Sequence, residues 1–270
     1  MKPDSLLILG VSGCLFLPIF RLFSKSKVIT NIDGLEWKRA KWNKFIKRFL
    51  KFSEKIAVHF SDIVVTDNQA ITNYVRAEYG VEGKNIAYGG DHALSNIGSD
   101  EEILETYALG LCRIEPENNV ELILESFRAS EQPLKFVGNW NASDFGRKLK
   151  SKYIDVANIE LLDPIYDLNK LYMIRRNCSL YLHGHSAGGT NPSLVEMMHF
   201  GVPIFAFDCS FNRFSTEGKA SYFADTKGLL AMLKYQNSDS LKKNAINMNE
   251  IARRRYIWKE ITHQYENLYR

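Results

Sequence analysis

The chain of 270 residues is poor in the residues that build special scaffolds. Its four cysteines, Cys14, Cys112, Cys178 and Cys209, stand singly with no C-x-x-C pair. That excludes a zinc ribbon or a disulfide framework and fits a reducing, cytoplasmic setting. Seven prolines and 17 glycines are too few for a collagen or low-complexity chain. Charge of one sign is not in excess: 35 Lys+Arg against 31 Asp+Glu leave +4, without the basic stripe that would make nucleic acid the expected partner. No apolar run reaches the roughly 20 residues of a spanning helix. The nearest is Ser5–Phe20, SLLILGVSGCLFLPIF, which follows Lys2 as a signal peptide or anchor would. Gly10, Gly13 and Pro18 break it where a strand-turn-helix needs breaks, so the expectation is a buried strand over Leu6–Val11 turning through Ser12-Gly13 into a helix.

What is there is an ordinary globular composition, 45% hydrophobic and 24% charged. Short apolar runs at Leu6–Val11, Val28–Ile32, Ile63–Thr66, Asn85–Tyr88, Tyr107–Leu111, Leu134–Val137, Ile159–Leu162, Ser179–Leu182 and Pro203–Phe207 alternate with helical patterns. Such alternation predicts parallel sheets of the doubly wound α/β class, whose ligands sit at the carboxyl ends of strands. The pattern lapses over His92–Asp100 and restarts at Tyr107, which reads as a domain boundary. Asn249–Tyr269 reads as one helix with an apolar side.

Trp37–Phe60 reads as a basic amphipathic helix, with Trp42, Phe45, Ile46, Phe49, Phe52, Ile56 and Phe60 on one side. Eight cations, from Lys38 to Lys55, stand against the single Glu54 between them. Two readings stay open: the helix lies on anionic lipid, each cation contributing on the order of 1 kcal/mol, or its aromatics are core and its lysines solvated.

The richest segment is Tyr181–Gly201, YLHGHSAGGTNPSLVEMMHFG: a strand, a loop with Gly184, Gly188 and Gly189, and a helix opened by Pro192 and stopped by Gly201. Free backbone N–H groups at a helix start make phosphate or diphosphate the natural ligand. No Gly-Lys-Ser/Thr follows, so it is not a Walker loop. Gly184-His185-Ser186-Ala187-Gly188 also matches the G-x-S-x-G elbow of serine hydrolases, with Asp208 or Asp225 and His263 as downstream partners. Against that, Thr190 and Asn191 intervene before the helix, and no HGGG-type segment lies upstream. His183 and His185 lack further ligands at metal spacing, and no metal is expected. Glu196, one turn into the helix, is placed to accept from a ribose hydroxyl; otherwise it is an acid favoured by the helix dipole. Arg113, at the end of the strand Tyr107–Leu111, can bind a diphosphate bidentately.

Together these residues resemble a retaining glycosyltransferase of family 4, with the GT-B fold of two Rossmann-like domains. The segments that carry the resemblance are NIDGLEWKR from Asn31 with Lys41-Trp42, SDIVVTDN from Ser61, Tyr88-Gly89-Gly90-Asp91, the Arg113 loop, and HGHSAGGTNPSLVE. They are similar to a subgroup that includes rhamnosyltransferases of bacterial capsule, O-antigen and cell-wall polysaccharide synthesis. The resemblance implies that Arg113 contacts the donor diphosphate, that Asn119 replaces the lysine usual at its position, and that of the family's paired glutamates only Glu196 is present, Gly188 taking the place of the other. It implies donor contacts from Gly110, Arg113, Asn119, His185, Ser186, Gly188, Gly189, Thr190, Asn191, Ser193 and Glu196. Asp33, where many members have histidine, becomes the carboxylate meeting an acceptor or donor hydroxyl, so Asp33, Arg113 and Glu196 are the expected catalytic set.

The expectation is therefore a GT-B-like α/β chain of two Rossmann-like doubly wound domains, the first incomplete: 1–98 on the acceptor side, 99–248 binding nucleotide sugar, and a helix at 249–270 packing back toward the first domain. Four candidate strands precede Asp100, which predicts an exposed sheet edge. The implied reaction moves a sugar, rhamnose by subgroup, from a dTDP- or UDP-sugar to a lipid-linked or polysaccharide acceptor with retention. It needs no cofactor or metal, and implies cytoplasmic placement with peripheral contact at the inner membrane through Trp37–Phe60. The alternatives are the Ser186 hydrolase and a shortened nucleotide-binding remnant without transferase activity.

Overall fold

Burial of alternating strand and helix faces gives this chain two parallel sheets, each in its own unit. The computed structural model describes residues 3–39, 42–94 and 106–270. Lys41 and the proposed boundary at residues 98 and 99 lie outside the described residues. Unit 1 contains Met1–Tyr88, Ala187–Asn191 and Trp258–Arg270; unit 2 contains Gly89–Ser186 and Pro192–Ile257.

Unit 1 begins with β1 (Ser5–Leu9), a one-turn 3-10 helix over Cys14–Phe16, and α1 (Leu17–Phe23) with Pro18 in its first turn. The strand-turn-helix expectation holds, but β1 is half-buried because it is the edge of the sheet. β2 (Lys27–Ile32), α2 (Lys44–Phe60), β3 (Ile63–Thr66), α3 (Gln69–Tyr79) and β4 (Lys84–Asn85) follow, and the order β1-β2-β3-β4 is parallel throughout. β2 is buried at every position but Lys27, as a central parallel strand must be, and it carries Thr30 and Asn31 among its apolar side chains. The edge leaves Leu9 in solvent, along with Ile19, Leu22 and Phe23 of α1.

The basic helix differs from its sequence reading. It starts at Lys44, not Trp37, because the Asn43 side chain accepts from the backbone N–H of Phe45 and Ile46 and caps it there. Trp37 lies on a separate 3-10 turn, Glu36–Lys38. The buried face of α2 is Leu50, Ser53, Glu54, Ala57 and Val58, while Phe45, Phe49 and Phe52 are exposed. The aromatic stripe is thus not core.

Unit 2 runs β5 (Tyr107–Leu111), α4 (Val120–Arg128), β6 (Leu134–Val137), α5 (Asp144–Tyr153), β7 (Ile159–Leu162), α6 (Leu168–Arg176), β8 (Cys178–His183), α7 (Pro192–His199), β9 (Ile204–Phe207), α8 (Ser210–Ser215), β10 (Ser221–Phe223), α9 (Thr226–Lys234) and α10 (Ser238–Arg255). The parallel order β10-β9-β8-β5-β6-β7 is the doubly wound arrangement of dinucleotide-binding folds. Its core includes Phe127 of α4, Phe136 of β6, Trp140 and Tyr153 in one cluster.

The chain from Asn249 to Tyr269 is not one helix. α10 ends at Arg255 and α11 (Trp258–Tyr269) is separate. The carbonyl of Tyr256 accepts from Gly90 N–H at 2.8 Å and faces His199 Nε2 at 2.9 Å, and its hydroxyl donates to Ser215 O. The N–H of Tyr256 still closes the last turn of α10 on Ala252 O, but its carbonyl is taken by these remote partners and accepts no further ladder bond, so the helix stops there. α11 belongs to unit 1, where Ile261 and Leu268 pack with Ile29, Val65 and Ile86.

Candidate active site

In unit 2, β5 and β8 are neighbours, yet the chain leaves β5 toward β6 on one side and β8 toward β9 on the other. Loops that part at such a switch point leave a crevice at the carboxyl ends of the strands. The loops there are Cys112–Asn119 after β5 and the chain from Gly184 after β8. They are tied together: Asn119 Nδ2 donates to Gly184 O at 2.8 Å, and both the N–H and the hydroxyl of Ser186 donate to Glu117 O at 2.9 and 2.8 Å. A Cβ on Gly184 would stand 2.1 Å from Asn118 O, so only glycine lets the two loops close. Asn119 has φ +49°, and Asn118 Nδ2 holds the carbonyl of Arg113 at 2.7 Å. The Arg113 guanidinium is exposed, with Glu115 at 3.5 Å. It is a cation on a fixed backbone at the end of the first strand, suited to a bidentate anion.

Glu196, on α7, is mostly buried and ion-paired with Arg175 of α6, with His92 Nε2 at 3.3 Å from its other oxygen. The sequence reading missed Arg175, because an Arg-Arg pair closing a helix looks like ordinary dipole compensation. Tyr181 donates to Ser193 Oγ at 3.0 Å at the start of α7. His183, at the end of β8, is 1% exposed with no hydrogen-bond partner at either ring nitrogen, and it stacks on His185 at 4.4 Å. Burial, with the neighbouring His185, holds its pKa well below the usual range, so it is a neutral imidazole.

In unit 1 the glycine-rich stretch Ala187–Asn191 is locked to the end of β3. Thr190 N–H donates to Asp67 Oδ2 at 3.1 Å, the Thr190 hydroxyl donates to Asp67 O, and Asn68 Nδ2 donates to Thr190 Oγ1 at 3.3 Å. Asp67 is 1% exposed and its Oδ1 has no partner. Burial first, and the Asp33 charge second, push its pKa up to about 8. Gly34, at φ +74°, brings its backbone against Gly188. Asp33 is exposed and accepts from Tyr88 OH at 2.9 Å. In the sequence Asp67 stands within the segment SDIVVTDN, and its sole signal is an acid directly after an apolar strand.

Two of the expected donor residues also have structural partners. Gly110 makes room for Phe136, whose ring would meet a Cβ at 2.5 Å, and Asn119 spends its amide on Gly184. The residues of the hydrolase alternative have other partners within their own units: in unit 2 the Ser186 hydroxyl goes to Glu117 O, Asp208 pairs twice with Arg213 and Asp225 caps α9 through Gly228 N–H, and in unit 1 His263 sits beside Glu266. Among the described residues no group of three His, Cys, Asp or Glu side chains is placed to hold a metal, and no helix is long and apolar enough to cross a membrane.

Residues 9–91 match a family described as a domain of unknown function, DUF1972. None of the curated proteins matches. Among solved structures, sucrose-phosphate synthase from Thermosynechococcus elongatus is 15% identical over 98% of this chain and 73% of its own, with a TM-score of 0.77. HepE of Anabaena, in complex with UDP, is 14% identical over 97% of this chain and 77% of its own, with a TM-score of 0.79. The pneumococcal O-GlcNAc transferase GtfA, in complex with UDP and GlcNAc, is 12% identical over 99% of this chain and 57% of its own, with a TM-score of 0.69. The likeness is one of fold: two Rossmann-like units, as in GT-B proteins.

Proposed function

We propose that the protein is a glycosyltransferase that moves a sugar from a nucleoside-diphosphate donor. The observation that carries this reading is the switch point of unit 2, where the Arg113 loop and the His183–Ser186 loop are cross-tied at the carboxyl ends of β5 and β8. Similar solved structures with bound UDP support it.

In this reading Arg113 and the N–H groups at the start of α7 take the diphosphate, and Glu196, oriented by Arg175, accepts from the ribose hydroxyls. The anomeric C–O bond to the diphosphate breaks as a C–O bond to the acceptor hydroxyl forms on the same face. The hydroxyl proton passes to the departing diphosphate, so the protein needs no nucleophile of its own; its work is electrostatic support of the leaving group. Asp33 meets an acceptor or donor hydroxyl. His185, Ser186, Gly188, Gly189, Thr190, Asn191 and Ser193 complete the donor contacts.

The finer assignment is a dTDP- or UDP-sugar donor, rhamnose by resemblance, transferred with retention to a lipid-linked or polysaccharide acceptor of a bacterial surface polymer. Residues 1–98 serve the acceptor and 99–248 the donor, in a cytoplasmic protein touching the inner membrane peripherally through α2. Exposure of Phe45, Phe49 and Phe52 beside the α2 cations supports that contact.

Calorimetric titration with a panel of nucleoside diphosphates and sugar nucleotides tests the reading. One or more should bind, and Arg113→Ala should weaken binding by roughly tenfold or more. No binding by any, or unchanged binding by Arg113→Ala, overturns it.

A further inference from the structure

A cavity of about 710 Å³ opens beside α2, and the proposed transfer does not use it. The rings of Trp37, Phe52 and Tyr79 form part of its wall, and Lys47, Arg48, Lys51 and Lys55 of α2 line it too. The wall is built in advance. The carboxylate of buried Glu54 accepts from Trp37 Nε1 at 3.0 Å and from the hydroxyls of Tyr74 and Tyr79 at 2.5 and 2.6 Å. Lys51 is committed to this frame: it lies 4.7 Å from the Trp37 ring and 4.9 Å from the Tyr79 ring, with Glu78 at 3.0 Å.

The other cations are not so accommodated. Among the described residues, Lys47, Arg48 and Lys55 have no carboxylate partner, since Glu78, the one acid lining the cavity, is taken by Lys51. Their placement is unfavourable on two counts. Lys47, Lys51 and Lys55 repeat at i, i+4 and i+8, where like charges repel. Lys44, Lys47 and Arg48 also crowd the first two turns of a 17-residue helix with no acid in its first turn, at the positive end of its dipole. An anion in the cavity would relieve both. The volume is that of a small-molecule site rather than of a bare ion, and the rings offer a face to whatever the anion carries.

We propose that this cavity binds a phosphate or diphosphate ester, held by Lys47, Arg48 and Lys55, with the esterified group resting on Trp37, Phe52 and Tyr79. The ester reaches the cavity either as a soluble sugar phosphate or as the headgroup of a phospholipid. The proposal does not rest on the donor site in unit 2.

Glucose 1-phosphate and pyrophosphate are titrated calorimetrically into Arg113→Ala protein, and the wild type is floated with phosphatidylglycerol or phosphatidylcholine vesicles. Lys47→Gln/Arg48→Gln/Lys55→Gln should lose about tenfold or more in affinity, and it should melt no earlier than the wild type because repulsion is removed. Lys148→Gln/Lys242→Gln/Lys243→Gln, which removes equal charge elsewhere, should bind as the wild type does. Selective loss of glucose 1-phosphate binding identifies a sugar-phosphate site. Selective loss of flotation on phosphatidylglycerol identifies a headgroup site. No binding in either arm, or equal loss in both triple variants, overturns the proposal. Titration of UDP into the cavity variant reports the donor site separately, so the two readings fail independently.

Discussion

Replacing Gly189 by alanine tests the lock between the glycine-rich stretch and β3. An ideal Cβ there would lie 2.0 and 2.3 Å from the two oxygens of Asp67 and 2.5 Å from its Cγ, where real Cβ contacts under 3.0 Å are essentially unknown. Asp67 has nowhere to go: it is 1% exposed, its side chain is short, and it directly follows β3. Either the carboxylate or the loop must therefore move by about 1 Å or more, which disrupts the Thr190 N–H bond to Oδ2. Overpacking of about 1–3 kcal/mol plus a lost hydrogen bond of about 1 kcal/mol gives a destabilisation of roughly 2–4 kcal/mol. Urea unfolding of the wild type, Gly189→Ala, Asp67→Ala and the double variant measures it as a cycle. In the Asp67→Ala background the same alanine should cost less than about 1 kcal/mol, because the obstruction is gone. Additive effects, or no effect of Gly189→Ala in the wild type, would refute the reasoning.

The pKa of Asp67, raised from 3.8 to about 8, makes a pH prediction. The folded protein keeps a proton that the unfolded chain releases, so stability contributed by this group falls as pH rises from about 4 to about 8, by on the order of 1 kcal/mol per unit at most. The stability difference between wild type and Asp67→Asn, measured by urea unfolding across that window, should decline with pH; a flat difference would contradict the burial argument. Gly184→Ala drives a Cβ to 2.1 Å from a backbone oxygen, which no rotamer can relieve, so destabilisation by about 3 kcal/mol or more and weakened nucleotide binding are expected together. Arg175→Met strands the mostly buried Glu196 and should lower stability by about 3 kcal/mol, whereas Arg175→Met/Glu196→Gln should recover part of it. Equal melting temperatures for those two variants would show that the pair is not coupled.

Much of the fold was legible because buried parallel strands write continuous apolar runs. Ile63–Thr66, Tyr107–Leu111, Leu134–Val137 and Ile159–Leu162 are strands at those bounds. β10, at three residues, is too short to carry a pattern. The break at Tyr256 was illegible because its causes, Gly90, His199 and Ser215, are remote in sequence while the apolar period runs straight through. The same holds at the site. Arg113 and Glu196 could be nominated from position in a strand-loop-helix pattern, but whether a polar residue is buried depends on neighbours the local sequence does not name. Asp67 and Arg175 are illegible for that reason, and so are the neighbours of Gly110 and Asn119, Phe136 and Gly184.

The division of the chain into units has a consequence for synthesis. Unit 1 draws on three separated stretches, and its core includes Ile261 and Leu268 beside Ile29, Val65 and Ile86. The ribosome therefore delivers the first sheet long before the helix that covers it, and Gly89–Ser186 emerges in between. Contacts of such long sequence separation form late and slowly. A nascent chain stalled before Trp258 would hold the side chains of β2 and β3 uncovered, and holding them apart from other nascent chains becomes a task for chaperones until α11 arrives.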